Sequence, residues 1–90
     1  MSDMVSFVVA YDKRADVLYI SSRKAPAVRG ITDNFGIVWR YDGTGSLIGA
    51  TIMDFNGEWR YRHHELAEKI AEKFDIPTTQ AEVVLQHAEE

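Results

Sequence analysis

Two adjacent histidines near the start of a predicted helix, His63 and His64, are the residues of this sequence best suited to bind a metal ion. Adjacent helical residues point about 100° apart, so the two imidazoles do not easily share one ion. Glu68 lies four residues after His64 on the same helical face, and His87 would approach from a second helix. These three residues, His64, Glu68 and His87, form the candidate metal set, since a catalytic zinc needs three protein ligands. The structural interpretation is favoured for His63, which lies on the apolar stripe of its helix.

A carboxylate close to the histidines in sequence suggests a second kind of chemistry. Asp54 lies near the end of a predicted strand, and a carboxylate beside an imidazole can support general acid–base catalysis. One hypothesis is therefore a small-ligand or metal-dependent enzyme that uses Asp54, His63 and His64. No nucleophile or oxyanion donor can be named beside Asp54, and Asp readily caps a turn such as the one expected at Asn56-Gly57. The sequence thus predicts no catalytic residue and no cofactor.

The segment Leu66–Leu85 could form a helix-turn-helix, which gives a third hypothesis, a DNA-binding regulator. A recognition helix presents side chains to base edges and cations to phosphates. The second helix, Thr78–Leu85, contains no Lys or Arg, and the net charge of −4 opposes attraction to nucleic acid. We therefore predict that these helices pack on a sheet or on a protein partner, and that the chain has no nucleic-acid partner.

The first two-thirds of the chain has the alternating pattern and the β-branched and aromatic content of strands. The predicted strands are Val5–Tyr11, Val17–Ser21, Ala27–Thr32, Gly36–Tyr41 and Leu47–Phe55. Apolar residues on both faces of the first run favour a strand that is central or covered on both sides. A proline just before the third run favours a short edge strand, where nearby cations would discourage edge-to-edge pairing.

The hydrophobic period changes from two to that of a helix at Tyr61. Residues at helical spacing form one apolar stripe: His63, Leu66, Ala67, Ile70, Ala71 and Phe74. Asp75-Ile76-Pro77 ends this helix, and the spacing of Thr79 and Glu82 predicts a capping box that opens another. The second helix has its own stripe, formed by Ala81, Val84, Leu85 and Ala88.

Strands followed by helices predict the α+β class: an antiparallel β-meander of four to five strands followed by two C-terminal amphipathic helices. We predict a single domain over residues 1–90, with the meander in 1–57 and a helical extension in 58–90. The chain contains no cysteine, which excludes disulfides and thiolate metal sites. No apolar stretch approaches the roughly 20 residues that span a bilayer, so we expect no membrane partner and a cytoplasmic location.

Two motifs resemble a known family. They are YDKRADVLYI at Tyr11–Ile20 and GIVWRYDGTGSLIGATIMDF at Gly36–Phe55. They are similar to the small, mainly bacterial proteins grouped as domain of unknown function 2283. The matching positions are Asp12, Ala15, Asp16, Leu18, Tyr19, Ile20, Gly36, Tyr41, Asp42, Gly43 (or Gly45), Gly49, Ile52 and Asp54. The resemblance implies a compact β-meander and no particular reaction. Some relatives are encoded beside small toxin-like partners, so it also implies an antitoxin-like, partner-binding role.

The favoured hypothesis is a non-enzymatic protein-interaction module, either a homo-oligomer or one half of a complex with a small protein partner. Large aromatic residues and apolar helix faces are typical of interfaces. The predicted partner-binding residues are Trp39, Tyr41, Trp59, Tyr61, Val84 and Leu85.

Overall fold

Five strands and three helices make up the part of the chain that the computed structural model describes, residues 7–88. In chain order they are β1 (Val8–Asp12), β2 (Val17–Ser21), β3 (Arg29–Thr32), β4 (Ile37–Tyr41), β5 (Leu47–Ile52), α1 (Phe55–Trp59), α2 (His63–Phe74) and α3 (Thr78–His87). The strands are antiparallel and form one open sheet. The predicted α+β class, with helices after the sheet, is confirmed.

The strand order in the sheet is β1-β2-β5-β4-β3. β1 and β2 form one hairpin, and β3, β4 and β5 form a meander; the pairing of β2 with β5 joins the two units. The last strand of the chain therefore lies at the centre of the sheet. The connection from β2 to β3 crosses to the far edge, which leaves β1 and β3 as the two edge strands.

The position of β1 corrects the prediction of a central first strand. The strand begins at Val8, and the predicted start at Val5 lies outside the described residues. Val9 and Tyr11 are half-buried against the core, whereas Val8 on the opposite face remains 63% exposed. A strand with apolar residues on both faces therefore lies at the edge of this sheet, with one face largely exposed.

The helices cover one face of the sheet and share one hydrophobic core with it. The fully buried apolar side chains of this core include Leu18, Ile20, Ile37, Trp39, Ala50, Ile52, Leu66, Ala67, Ile70, Ala81 and Leu85. Both helical stripes predicted from the period are present, with Phe74 packed at the margin. Burial of this apolar area is the main favourable contribution to folding.

α1 is a short helix that the sequence analysis did not predict. β5 ends at Ile52 rather than at Phe55, and Asp54 turns the chain with a left-handed φ of 52°. Phe55 and Trp59 are four residues apart, and each is 1% exposed. The helix therefore places two large rings in the core, and it spans the boundary that was predicted between residues 57 and 58.

The start of α3 corrects the predicted capping box. The helix begins at Thr78, and Pro77 at the N-cap makes no side-chain hydrogen bond to it. Thr79 and Glu82 therefore both lie inside the helix, where Glu82 contacts His64 of α2. Among residues 7–88, no helix combines the length and apolar character that crossing a membrane requires.

Candidate interaction surface

β3 is an edge strand whose four residues are all exposed. Val28, just before the strand, is 67% exposed, and Ile31 within it is 45% exposed. The strand pairs on one side with β4 of its own chain. The prediction of a short edge strand within Ala27–Thr32 is confirmed, and its pairing is intramolecular.

The backbone hydrogen bonds show which groups of β3 face away from the sheet. Asp33 N donates to Ile37 O at 2.9 Å where the β3–β4 ladder ends. Bonded and non-bonded pairs alternate in an antiparallel ladder, so Ile31 also directs its backbone groups to β4. The N–H and C=O groups of Gly30 and Thr32 therefore point outward, where an added strand can bond them.

Asp33 fixes the turn at the end of this edge. Its Oδ1 accepts hydrogen bonds from the backbone N of Phe35 (2.8 Å) and of Ile37 (3.1 Å), and its Oδ2 accepts one from Trp39 Nε1 at 3.0 Å. Desolvation acts to raise the pKa of Asp33, but these hydrogen bonds and the charge of Lys69 outweigh it and lower the pKa overall. The carboxylate is therefore ionised at neutral pH.

A shallow cavity of about 150 Å³ separates this turn from α2. Its lining includes Asp33, Phe35, Trp39, Lys69 and Lys73. Lys69 Nζ lies 3.5 Å from the centroid of the Phe35 ring, which is itself 47% exposed. An apolar floor with charges on its rim is typical of protein interfaces. We define the β3 edge surface as residues 28–32 together with Phe35.

The structure places most of the predicted partner-binding residues in the core. Trp39 and Trp59 are 2% and 1% exposed, and the two α3 residues, Val84 and Leu85, are also buried. These four side chains stabilise the single chain and do not form its surface. Tyr41 is half-buried with Arg29 over its ring, and Tyr61 is 88% exposed.

Two further aspartates, Asp12 and Asp42, close the turns of the two hairpins. Asp12 Oδ1 accepts the backbone N–H groups of Arg14 and Ala15 in the β1–β2 turn. Asp42 Oδ1 accepts those of Thr44 and Ser46 in the β4–β5 turn. Hydrogen bonds, first from the Thr44 hydroxyl and then from these amides, lower the pKa of Asp42. Residues 42–46 therefore form the turn of the second hairpin.

Asp16 attaches α1 to the first hairpin. Its Oδ1 and Oδ2 accept the backbone N–H groups of Asn56 at 2.8 Å and Gly57 at 3.0 Å, in the first turn of the helix. The hydroxyl of Tyr11 donates to Oδ1 at 2.7 Å and accepts a bond from Asn56 Nδ2. The hydrogen bonds donated by the backbone N–H of Asn56 and by the Tyr11 hydroxyl lower the pKa of Asp16. The carboxylate supplies the N-terminal cap that Asp54 does not provide.

The histidines lie beside a cavity of about 350 Å³ between α2 and α3. His64 Nδ1 lies 2.7 Å from Glu82 Oε1, and His64 Nε2 lies 3.9 Å from Glu68 Oε1. The hydrogen bond to Glu82 and the charge of Glu68 raise the pKa of His64. His63 stacks on Phe55, with ring centroids 5.2 Å apart, which agrees with the structural interpretation of that residue.

The candidate metal set is not assembled in the described part of the chain. Among residues 7–88, no three His, Asp or Glu side chains are arranged to hold an ion. His64 is shared by two glutamates, Glu68 and Glu82, and forms no triad with His87. The sequence missed Glu82, because capping-box spacing assigned that residue to a helix terminus.

A short turn joins α2 and α3, as in a helix-turn-helix, but α3 lacks the cations that a recognition helix presents to phosphates. Asp75 adopts φ 56° at the end of α2, and its N–H donates to Ala71 O. α3 directs Val84 and Leu85 into the core, and its sequence has no Lys or Arg. The packing therefore matches the prediction of two helices against a sheet.

Comparison with protein-family profiles identifies the family of this chain. The sequence profile of the proteins of unknown function DUF2283 matches residues 9–56, which is more than half of the chain. This range begins in β1 and ends at Asn56, whose N–H is bound by Asp16. Searches of curated proteins and of solved structures found no significant match. The chain belongs to the DUF2283 family of proteins of unknown function.

Proposed function

We propose that this chain is a non-enzymatic protein-interaction module that binds a protein by strand addition at the β3 edge surface. The observation that carries the proposal is the exposure of all four residues of β3 beside exposed apolar side chains. An edge strand offers main-chain hydrogen bonds for affinity, and pockets beside it offer specificity. The cavity next to Phe35 provides such a pocket.

The charges near this edge indicate a partner with an acidic residue. Arg29 is exposed on the strand itself, and Lys24 precedes it on the connection from β2, where Arg23 already pairs with Asp42 at 3.1 Å. A carboxylate on the added strand would pair with Arg29, whose guanidinium lies 5.4 Å from the Tyr41 ring centroid in the single chain. Electrostatic complementarity of this kind contributes to specificity and to association rate.

The chemistry of the aspartates supports a structural rather than catalytic use of the first two-thirds of the chain. Asp12, Asp16, Asp33 and Asp42 each bind two or more donors of their own chain. Carboxylates that hold the backbone of their own chain in this way are poor candidates for general acids or bases, since moving a proton there would disturb the turns they stabilise.

The test uses the tagged chain as bait in cells that express it naturally. Thr32→Pro removes an outward N–H without breaking a bond to β4, so it blocks strand addition and leaves the sheet intact. Val8→Asp alters an exposed apolar residue on the opposite edge and is the matched control. We expect a protein retained by the wild-type and Val8→Asp baits to be lost from Thr32→Pro. Equal retention by folded Thr32→Pro would refute the proposal.

A further inference from the structure

We infer that the β3 edge pairs with the β3 edge of a second copy of this chain, in one antiparallel register centred on Ile31. The inference deepens the proposed function and rests on it, because it names the protein that adds a strand there. Two sheets of five strands would join into one continuous sheet of ten about a two-fold axis.

The direction of the backbone groups restricts the register. Only residues with outward N–H and C=O groups can form bonded pairs with a second strand, and in β3 these are Gly30 and Thr32. An antiparallel register that bonds Gly30 to Thr32 of the second copy uses both residues of both chains. It places Ile31 directly opposite Ile31 of the second copy, on the two-fold axis, as a non-bonded pair.

Charge complementarity selects the same register. Counting outward from the axis, Arg29 lies opposite Asp33 of the second copy, and the symmetry produces this pair twice. Both side chains lie on the face of Ile31, because residues two apart in a strand share a face. Shifting the register by four positions would instead place Arg29 opposite Arg29, and like charges directly opposite are destabilising. Arg29 therefore favours the register in which it faces Asp33 and disfavours the register in which it faces Arg29 of the second copy.

Asp33 has room for this contact. A carboxylate offers about four acceptor sites, and three donors of its own chain occupy three of them. The exposed Arg29 side chain rotates away from Tyr41 to reach it, which exchanges one cation–π contact for an ion pair. Ile31, 45% exposed in the single chain, becomes covered by its symmetry mate.

Cysteine cross-linking tests the register directly, because the native chain contains no cysteine. Non-bonded antiparallel pairs place Cα atoms about 4.5 Å apart, within the range that a disulfide spans. We expect Ile31→Cys to form a disulfide-linked dimer under mild oxidation. Thr32→Cys is the matched control: it is also exposed but lies on the opposite face and faces Gly30 of the second copy. We expect it to cross-link at least about tenfold more slowly.

Light scattering coupled to size exclusion, over a range of concentrations, supplies the second measurement. Wild-type protein is expected to dimerise, and Arg29→Glu, which sets a carboxylate opposite Asp33, is expected to weaken the dimer about tenfold or more. A wild-type monomer at every concentration, equal cross-linking by Thr32→Cys, or an unweakened Arg29→Glu dimer would overturn the inference. The wild type could instead be monomeric while its bait retains a different protein that Thr32→Pro loses. That result would exclude pairing with a second copy and leave the proposed function standing.

Discussion

Replacement of Asp16 should release α1 from the first hairpin. In Asp16→Ala the amides of Asn56 and Gly57 lose their acceptors, and loss of an N-terminal cap costs about 1–2 kcal/mol. Asp16 also has φ 57°, and an alanine in that left-handed conformation costs about 1 kcal/mol more. We expect Asp16→Ala to lower the free energy of unfolding by about 2–3 kcal/mol.

Asp16→Asn separates the two contributions. Asparagine tolerates the left-handed conformation but has one acceptor oxygen instead of two, so we expect a loss of about 1 kcal/mol. Asp12→Ala is the control, since its carboxylate caps only an exposed turn within the hairpin. Urea unfolding followed by Trp fluorescence measures the change, because Trp59 of α1 is buried.

The pH dependence gives an independent check. The pKa of Asp16 is lowered in the folded state, so its stabilisation is complete above the ordinary carboxyl pKa of about 3.9 and is lost as the pH falls through the folded value. The difference between wild type and Asp16→Asn should therefore shrink as the pH falls below about 4. An Asp16→Ala protein within about 0.5 kcal/mol of wild type at pH 7 would refute the capping role.

Three further predictions follow from single contacts. Gly49→Ala should destabilise the sheet by about 1–3 kcal/mol in urea unfolding, because the added Cβ would lie 2.7 Å from the backbone oxygen of Ile20; an unchanged midpoint would contradict this packing. Glu82→Gln should lower the pKa of His64 in an NMR titration, since the hydrogen bond to Glu82 is the main cause of its elevation; an unmoved titration would remove that cause. Asp33→Asn should cost about 1–2 kcal/mol at neutral pH and less in acid, where wild-type Asp33 protonates; calorimetry across pH measures both, and a pH-independent difference would contradict the lowered pKa.

The elements were predictable from local pattern because their periods differ. Leu66 and Ile70 recur at helical spacing and are fully buried, and Ala50 and Ile52, two residues apart in β5, both lie in the core. Burial of one face dictates such a pattern in a helix or a strand whatever the rest of the chain does.

The strand order and α1 could not be predicted from the same pattern. Alternation does not specify which strand pairs with which, and the only sequence hint of the β2–β5 contact was Gly49, whose missing side chain the close backbone requires. α1 has five residues, too few to show a period. Its cap, Asp16, lies 40 residues from Asn56 in sequence, so no local capping signal exists.

The exposed surface of the chain was difficult to predict because residue type does not determine burial. Trp59 and Tyr61 are two residues apart, yet one is 1% and the other 88% exposed. Prediction by residue type selected large aromatic residues. It did not select Gly30 and Thr32, whose backbone groups form the free edge of the sheet. The proline before β3 and the cations beside it were the sequence signals for that edge.

Residue-resolved amide hydrogen exchange tests the central claim, that proteins bind this chain at the β3 edge. In the isolated chain at low concentration, the outward amides of Gly30 and Thr32 should exchange rapidly, and that of Ile31, bonded to β4, more slowly. On complex formation, with a second copy at high concentration or with a retained partner, exchange at Gly30 and Thr32 should slow markedly. A complex in which both amides exchange at their original rates, while another surface becomes protected, would contradict the claim.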